Sequence, residues 1–265
     1  MLSVDTRLPV ARPVPSDDEF ETLHQEAGRI GVADCWTHCE SYCCKTNHPD
    51  QQFALMKCDS AGLVYPLGEY RFLERRQKLQ AGAVETARHH EFVFDPSRNL
   101  RLRFVTTICD LGGRCSEPAY RPLICKFYPF YPAPDMTAGG TASLSGFVTG
   151  SIIDQHWSEL GVPHPCWIVR EQSDVVIPQT RRAIEVVQRH PYFSFYLGAA
   201  ALFVRHVADE CRRRGLPAPS KDLRAFFREW EVTYLTGGFV DPPRLRAEIM
   251  AYHDALVNQW GAFEL

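Results

Sequence analysis

Four cysteines fall within ten residues, at Cys35, Cys39, Cys43 and Cys44. Thiolate is a soft ligand that suits zinc, cuprous copper and iron–sulfur clusters. If this segment is helical, the spacing of four puts Cys35, Cys39 and Cys43 on roughly one face, where three sulfurs can converge on one centre. Cys44 then points about 100° away, because a helix turns once in about 3.6 residues. It either bends the local backbone or serves a second centre. Cys109 and Cys115 flank Gly112-Gly113, a pair that permits a tight turn. Cys125 follows, and Cys166 lies in the rigid run Pro163-His164-Pro165-Cys166-Trp167. A tetrahedral zinc or a four-iron cluster each takes about four protein ligands, so this set fits two centres better than one. The expected division gives Cys35, Cys39 and Cys43 to one centre. Cys44 joins Cys109, Cys115 and Cys125 at the other, and Cys166 is an eighth candidate. A lone buried cysteine is ordinarily a small hydrophobe. That reading suits Cys211, inside an apolar helical pattern, and Cys58.

Groups beside the sulfurs could tune them. Lys45, Arg114, Arg121 and Lys126 could offset thiolate charge, and Glu40 and Asp110 could orient ligands. His38, His48, His156 and His164 are the histidines near the cysteines and could complete a site or move protons. His89, His90, His190, His206 and His253 read as surface or hydrogen-bonded core. Asp154 with His156 could form a short acid–base pair. The aromatic residues from Phe127 to Tyr131, with Trp157 and Trp167, suit a core that could wall a cluster from water.

Other chemistries are excluded. Cys35-x3-Cys39-x3-Cys43 is one residue too long for the radical-SAM spacing, and the repeated βα pattern of such a barrel is absent. No His pair follows at zinc-finger distance, and there is no phosphate loop or dinucleotide fingerprint. A net charge of −3 gives no pull toward nucleic acid or an anionic membrane. The N-terminus has Arg7 and Arg12 but no apolar signal core, and the apolar stretch Tyr192 to Val204 is too short to span a bilayer. A cytoplasmic location follows as the expectation. There thiols stay reduced, and clustered cysteines bind metal or do chemistry rather than pair as disulfides.

The Cys35/Cys39/Cys43-Cys44 cluster, then Cys109-x5-Cys115, then Arg121-Pro122-x2-Cys125-x2-Tyr128-Pro129, resembles the zinc- or iron-chelating cysteine-cluster (CxxCxxCC) family. Lys126 stands where that family usually has Arg, and the first spacing is wider than its usual two residues. The likeness covers residues 35–129, with Cys166 at its outer limit, and more distantly extends to the cysteine region of flagellin lysine N-methylases. It implies metal or iron–sulfur binding by these cysteines, with a faint hint of enzymatic activity.

The elements that would position these residues make an α+β chain. A cysteine-rich, metal-centred half with short strands precedes a mostly helical half. Residues 1–15, rich in proline, read as a flexible arm, 16–170 as the cysteine-cluster metal-binding region, and 171–265 as a helical region packed on it. Ser16 suits the N-cap of a first helix ending near Gly28 or Gly31. Strands are expected at 63–65, 92–94 and 100–107, the last two joined by a turn at 95–99, and a helix at 66–79. On 100–107, Leu100, Leu102 and Phe104 fall on one face and Arg101 and Arg103 on the other. Residues 128–146 read as loop and 147–153 as a strand. Helices follow near 178–189, 191–214, 219–236 and 242–260, with Ser220 capping the third and Pro242-Pro243 opening the last.

The function expected is a cysteine-ligated metalloprotein, foremost an iron–sulfur (4Fe–4S) or iron-dependent enzyme that modifies a peptide or small molecule. About a hundred helical residues beyond a metal module suggest an enclosed pocket. The rival expectations are a metal-binding or metal-delivery protein without catalysis, and a zinc-stabilised interaction module. Neither nucleic acid nor membrane is expected as a partner.

Overall fold

The structure, a computed structural model, describes residues 11–28, 30–45, 53–55, 61–109, 115, 118–216 and 222–265. Of the residues named above, Arg7, His48, Cys58, Asp110, Gly112, Gly113, Arg114 and Ser220 lie outside that set.

Helix α1 (Asp17–Glu26) opens on a capping box. The Glu19 N–H donates to Ser16 Oγ at 3.3 Å, and the Ser16 N–H donates to Glu19 Oε2 at 2.8 Å, so two terminal donors are satisfied reciprocally. After the one-turn α2 (Cys35–His38), β1 (Ala61–Pro66) leads into α3 (Leu67–Arg75). Then come α4 (Ala83–Thr86), β2 (Arg88–Asp95) and β3 (Leu100–Cys109). The three strands pair antiparallel in the order β1-β3-β2. Asp95 Oδ1 makes the expected turn by accepting from the N–H groups of Ser97 (2.9 Å) and Arg98 (3.2 Å).

On β3 the burial differs from the expected alternation. Val105, Thr107 and Cys109 are the buried positions, and they continue the Arg101–Arg103 face. Leu100, Leu102 and Phe104 are only half-buried. Arg101 and Arg103 both reach Glu91 on the neighbouring strand, so their end of that face stays wet.

Helix α5 (Leu123–Lys126) precedes β4 (Phe130–Met136) and β5 (Ala142–Thr149), an antiparallel pair. The expected loop at 128–146 is therefore mostly strand, and the expected strand at 147–153 is the end of β5 followed by a 3₁₀ turn at Ile153–His156. The prolines hid β4: a two-stranded ribbon has outer edges where a residue without N–H is tolerated, and the register shifts between Ala133 and Pro134. The hairpin closes where the Thr137 N–H donates to Thr141 O at 3.0 Å.

The rest is helical: α6 (Trp167–Glu171), α7 (Ser173–Val187), α8 (Pro191–Arg213), α9 (Leu223–Leu235) and α10 (Pro242–Trp260). Helix α7 starts earlier than expected and carries Pro178 inside it. Asp222 caps α9, accepting from the Arg224 N–H. Helix α8 runs through the centre, buried along most of its length. Gly198 lets Tyr252 of α10 approach it, and Tyr252 Oη donates to Ser194 O at 2.8 Å.

One hydrophobic cluster runs from Phe20 through Phe94, Phe127 and Trp157 to Phe226 and Phe263, drawing on both the cysteine-rich and the helical regions. The described end of the expected flexible arm is held down. The Arg12 N–H donates to Ala262 O (2.7 Å) and the Glu264 N–H to Arg12 O (2.8 Å), a short parallel bridge to the last residues. Among the described residues no helix is long and apolar enough to cross a membrane. The fold is thus α+β, with two small antiparallel sheets among the described residues and a helical second half.

Candidate metal centre

The first cysteine segment is not one helix. Cys35–His38 forms a single turn entered from Asp34 at φ 55°, and the chain then reverses through Glu40 (φ 49°) and Ser41 (φ 64°). Two successive left-handed non-glycine residues cost of order 1 kcal/mol each and persist only where the surroundings impose them. Tyr42–Cys44 follows as a 3₁₀ turn, with the Ser41 N–H bonded to Trp36 O at 2.9 Å and the Tyr42 N–H to Cys39 O at 3.0 Å. The expected helical face of Cys35, Cys39 and Cys43 is replaced by a compact hook. Cys35 and Cys39 lie on its first limb and Cys43 and Cys44 on its second.

The described cysteines are thiols, none joined in a disulfide. Cys43, Cys125 and Cys166 among them are acted on by other cysteines. The Cys43 thiol is pushed well above its ordinary range by its contact with Cys44 (Sγ–Sγ 3.7 Å), then by burial, and further by Cys166 and Cys35. Cys43 is exposed as a residue, so the neighbouring sulfurs weigh more there than burial does. Burial pushes the Cys166 thiol up to about 12, and Cys39 adds to the rise. Cys125 is raised by burial and by Cys44, Cys109 and Cys115, with Arg121 opposing. Cys43 thus senses Cys35 and Cys166, Cys166 senses Cys39, and Cys125 senses Cys44, Cys109 and Cys115, with the Cys43–Cys44 contact between these groups. Among the described residues no group of three or more His, Cys, Asp or Glu side chains stands in an arrangement that could hold a metal ion. Cys211 is buried in α8, as a small hydrophobe would be.

The cations divide as well. Arg121 faces the second set: burial works against its charge, and Cys115, Cys125 and Cys44 support it. Lys126 does not offset thiolate charge as expected. Its Nζ donates to His24 O (2.6 Å) and Gly28 O (3.4 Å), capping the carbonyls at the end of α1. The adjoining Glu69 is fully buried, accepts from the Leu123 N–H at 2.8 Å, and so fixes the start of the helix that carries Cys125.

The histidines take other roles. His38 stacks on Trp167, with ring centroids 4.0 Å apart. His156 contacts Glu159 (Nδ1–Oε2 3.3 Å) rather than pairing with Asp154, and burial lowers its proton affinity. His164 Nδ1 accepts from the Cys166 N–H at 3.0 Å, and burial likewise lowers the proton affinity of this ring. The arrangement assigns the His164 proton to Nε2, which lies 3.7 Å from Asp154 Oδ1.

Asp154 itself is buried and serves as a hub. Its Oδ1 accepts from Tyr42 Oη and from Trp157 Nε1 (3.1 Å), and the same indole N–H also reaches Tyr42 Oη at 3.0 Å. Its Oδ2 accepts from Tyr128 Oη (3.2 Å), Ser151 Oγ (2.9 Å) and the Ser151 N–H (2.5 Å). A Cβ at Gly150, which has φ +75°, would lie 2.4 Å from Oδ2, so the carboxylate needs glycine there. Spacing arguments missed Tyr42, Tyr128 and Gly150. The only traces in the sequence were a tyrosine set against the cysteine pair and the Tyr128-Pro129 run.

Against known proteins, no family model, no curated protein and no solved structure matches this chain.

Proposed function

We propose that this chain is a cysteine-ligated metalloprotein of the cytoplasm, with one iron–sulfur centre on Cys35, Cys39, Cys43 and Cys166 and another on Cys44, Cys109, Cys115 and Cys125. The observation that carries the reading is that Cys43, Cys166 and Cys125 are each acted on by other cysteines of the clusters, with Cys43 and Cys44 in direct sulfur contact. Four soft sulfur donors per set is the ligand count of a four-iron cluster. Half-buried Arg121 supports the fit, because a guanidinium among thiols stabilises their ionised, metal-binding form. Tyr65, Tyr128 and Tyr131 feel the sulfurs from within the core and would shield the centres from water, which tunes redox potential.

An iron–sulfur centre supplies one-electron transfer or a Lewis-acidic iron. The protein's own residues hold the ligands, exclude water and place a cation beside one set. In this reading the protein is an enzyme that modifies a peptide or small molecule. The net charge of −3 gives no attraction for nucleic acid.

Zinc is the second reading, and one distance favours it. The 3.7 Å between Cys43 and Cys44 Sγ is close to the edge, about 3.8 Å, of a tetrahedron built on Zn–S bonds of about 2.3 Å. That reading puts both sulfurs on one ion and makes the chain a metal-delivery protein or a zinc-stabilised module.

Visible absorption of anaerobically purified protein separates the two. A brown protein with a band near roughly 400 nm, from sulfur-to-iron charge transfer, is expected of thiolate-held iron–sulfur centres. A colourless protein carrying about one or two zinc ions per chain would replace this reading with the second.

A further inference from the structure

We infer that Asp154 is the positioning residue of the first sulfur set, holding Cys43 and Cys166 in one centre through Tyr42 and His164. The inference rests on the two-centre reading and adds what keeps one centre assembled independently of the other.

Asp154 lies in the turn Ile153–His156, far in sequence from the cysteine hook. Tyr42, immediately before Cys43, is buried, and its hydroxyl donates to Asp154 Oδ1. The same oxygen lies 3.7 Å from His164 Nε2, and that ring accepts the backbone N–H of Cys166. The Tyr42 and His164 rings meet edge to face at 6.0 Å. One carboxylate oxygen thus bonds the tyrosine that precedes Cys43 and stands beside the histidine that holds the Cys166 backbone, where His164 Nε2 is buried without a hydrogen-bond partner among the described residues. Tyr128 Oη and Ser151 hold the other oxygen, so the carboxylate cannot swing away. Arg121 and Glu69 serve the side of Cys44, Cys115 and Cys125.

The hook needs such an anchor. Glu40 and Ser41 hold consecutive left-handed conformations, and their strain relaxes unless the following residue is pinned. Tyr42→Phe removes the hydroxyl and keeps the ring in the core. Asp154→Asn keeps the shape but turns an amide donor toward groups that already donate, on one oxygen or the other.

The test uses two readouts on the full chain. In the reduced, metal-free protein, alkylation by iodoacetamide is followed residue by residue by mass spectrometry. Asp154→Asn and Tyr42→Phe are expected to change the rates at Cys43 and Cys166 by roughly 10-fold, the scale on which outer partners of a site act, and to leave Cys109 and Cys125 unchanged. In the metal-loaded protein, a chelator should strip about half of the charge-transfer absorption roughly 10-fold faster than from wild type, with the other half released at the wild-type rate. Equal effects on both sets would mean general loosening of the fold and would overturn the inference, as would wild-type behaviour of both variants. If the wild-type chain binds no metal, the two-centre reading fails, and the alkylation pattern still decides the role of Asp154.

Discussion

The sulfurs of Cys43 and Cys44 stand 3.7 Å apart, yet Cys166 and Cys35 also act on Cys43 while Cys44 acts on Cys125. Neighbouring residues can serve two sets because the 3₁₀ turn Tyr42–Cys44 sends successive side chains in different directions. In the proposed two-centre reading the pair joins the two sets, and its members are separable by mutation.

Cys43→Ser and Cys44→Ser should each remove about half of the bound metal, the share of one four-ligand centre. Elemental analysis of the two purified variants, with cluster spectra recorded on each, checks this. Loss of all metal in both variants would favour a single ion shared by the pair.

His38 is the histidine inside the first cysteine segment, and it is stacked on Trp167. His38→Ala should leave the metal content unchanged and cost about 1 kcal/mol of stability through lost ring contact. Metal content and a urea titration measure the two effects. A drop in metal with stability intact would make His38 a ligand.

Gly198 sits where helix α8 meets Tyr252 of α10, and a Cβ there would lie 2.3 Å from the tyrosine ring. Gly198→Ala should destabilise the fold by about 1–3 kcal/mol through overpacking, against a gain of about 1 kcal/mol in helix propensity. Tyr252→Leu in the same chain should recover part of the loss. Urea unfolding of the single and double variants is the measurement, and a stabilised single variant would contradict the packing.

His190 caps α8 through Nδ1, which accepts from the Tyr192 N–H at 3.1 Å, and burial, reinforced by Arg12, depresses its pKa to about 4. The unfolded chain binds this proton at its ordinary value of about 6.5. Between those values the unfolded state carries more protons, so stability rises with pH through that window and is lost as pH falls through it. The contribution reaches about 3 kcal/mol at most, at about 1.4 kcal/mol per pH unit. His190→Asn keeps a capping acceptor without the titration. Its stability should fall less than that of wild type between pH 7 and pH 4.5, as urea titrations at each pH would show.

Much of the frame was legible in the sequence, because local physics dictated it. The Ser16 cap, the Asp95 turn and the four long helices each follow from cap, turn or periodicity chemistry that needs no distant partner. Strand β4 was not legible, because Pro132 and Pro134 argue against a strand until its edge position is known. The hook at Glu40 and Ser41 was also hidden: neither residue is a glycine, and the conformation is imposed by Tyr42 reaching Asp154 across 112 positions. The division of the cysteines into two sets comes from counting ligands and stands as a proposal. The neighbours of Cys166 were not legible, because the proximity of His164 and Asp154 to the hook is tertiary.

Iron and acid-labile sulfide, quantified per chain in protein purified without oxygen, test the central claim most directly. Two four-iron centres predict about eight iron atoms and about eight sulfides per chain, falling by about half in Cys43→Ser. Protein that carries neither iron nor sulfide, while folded and with all its thiols reactive, would contradict it.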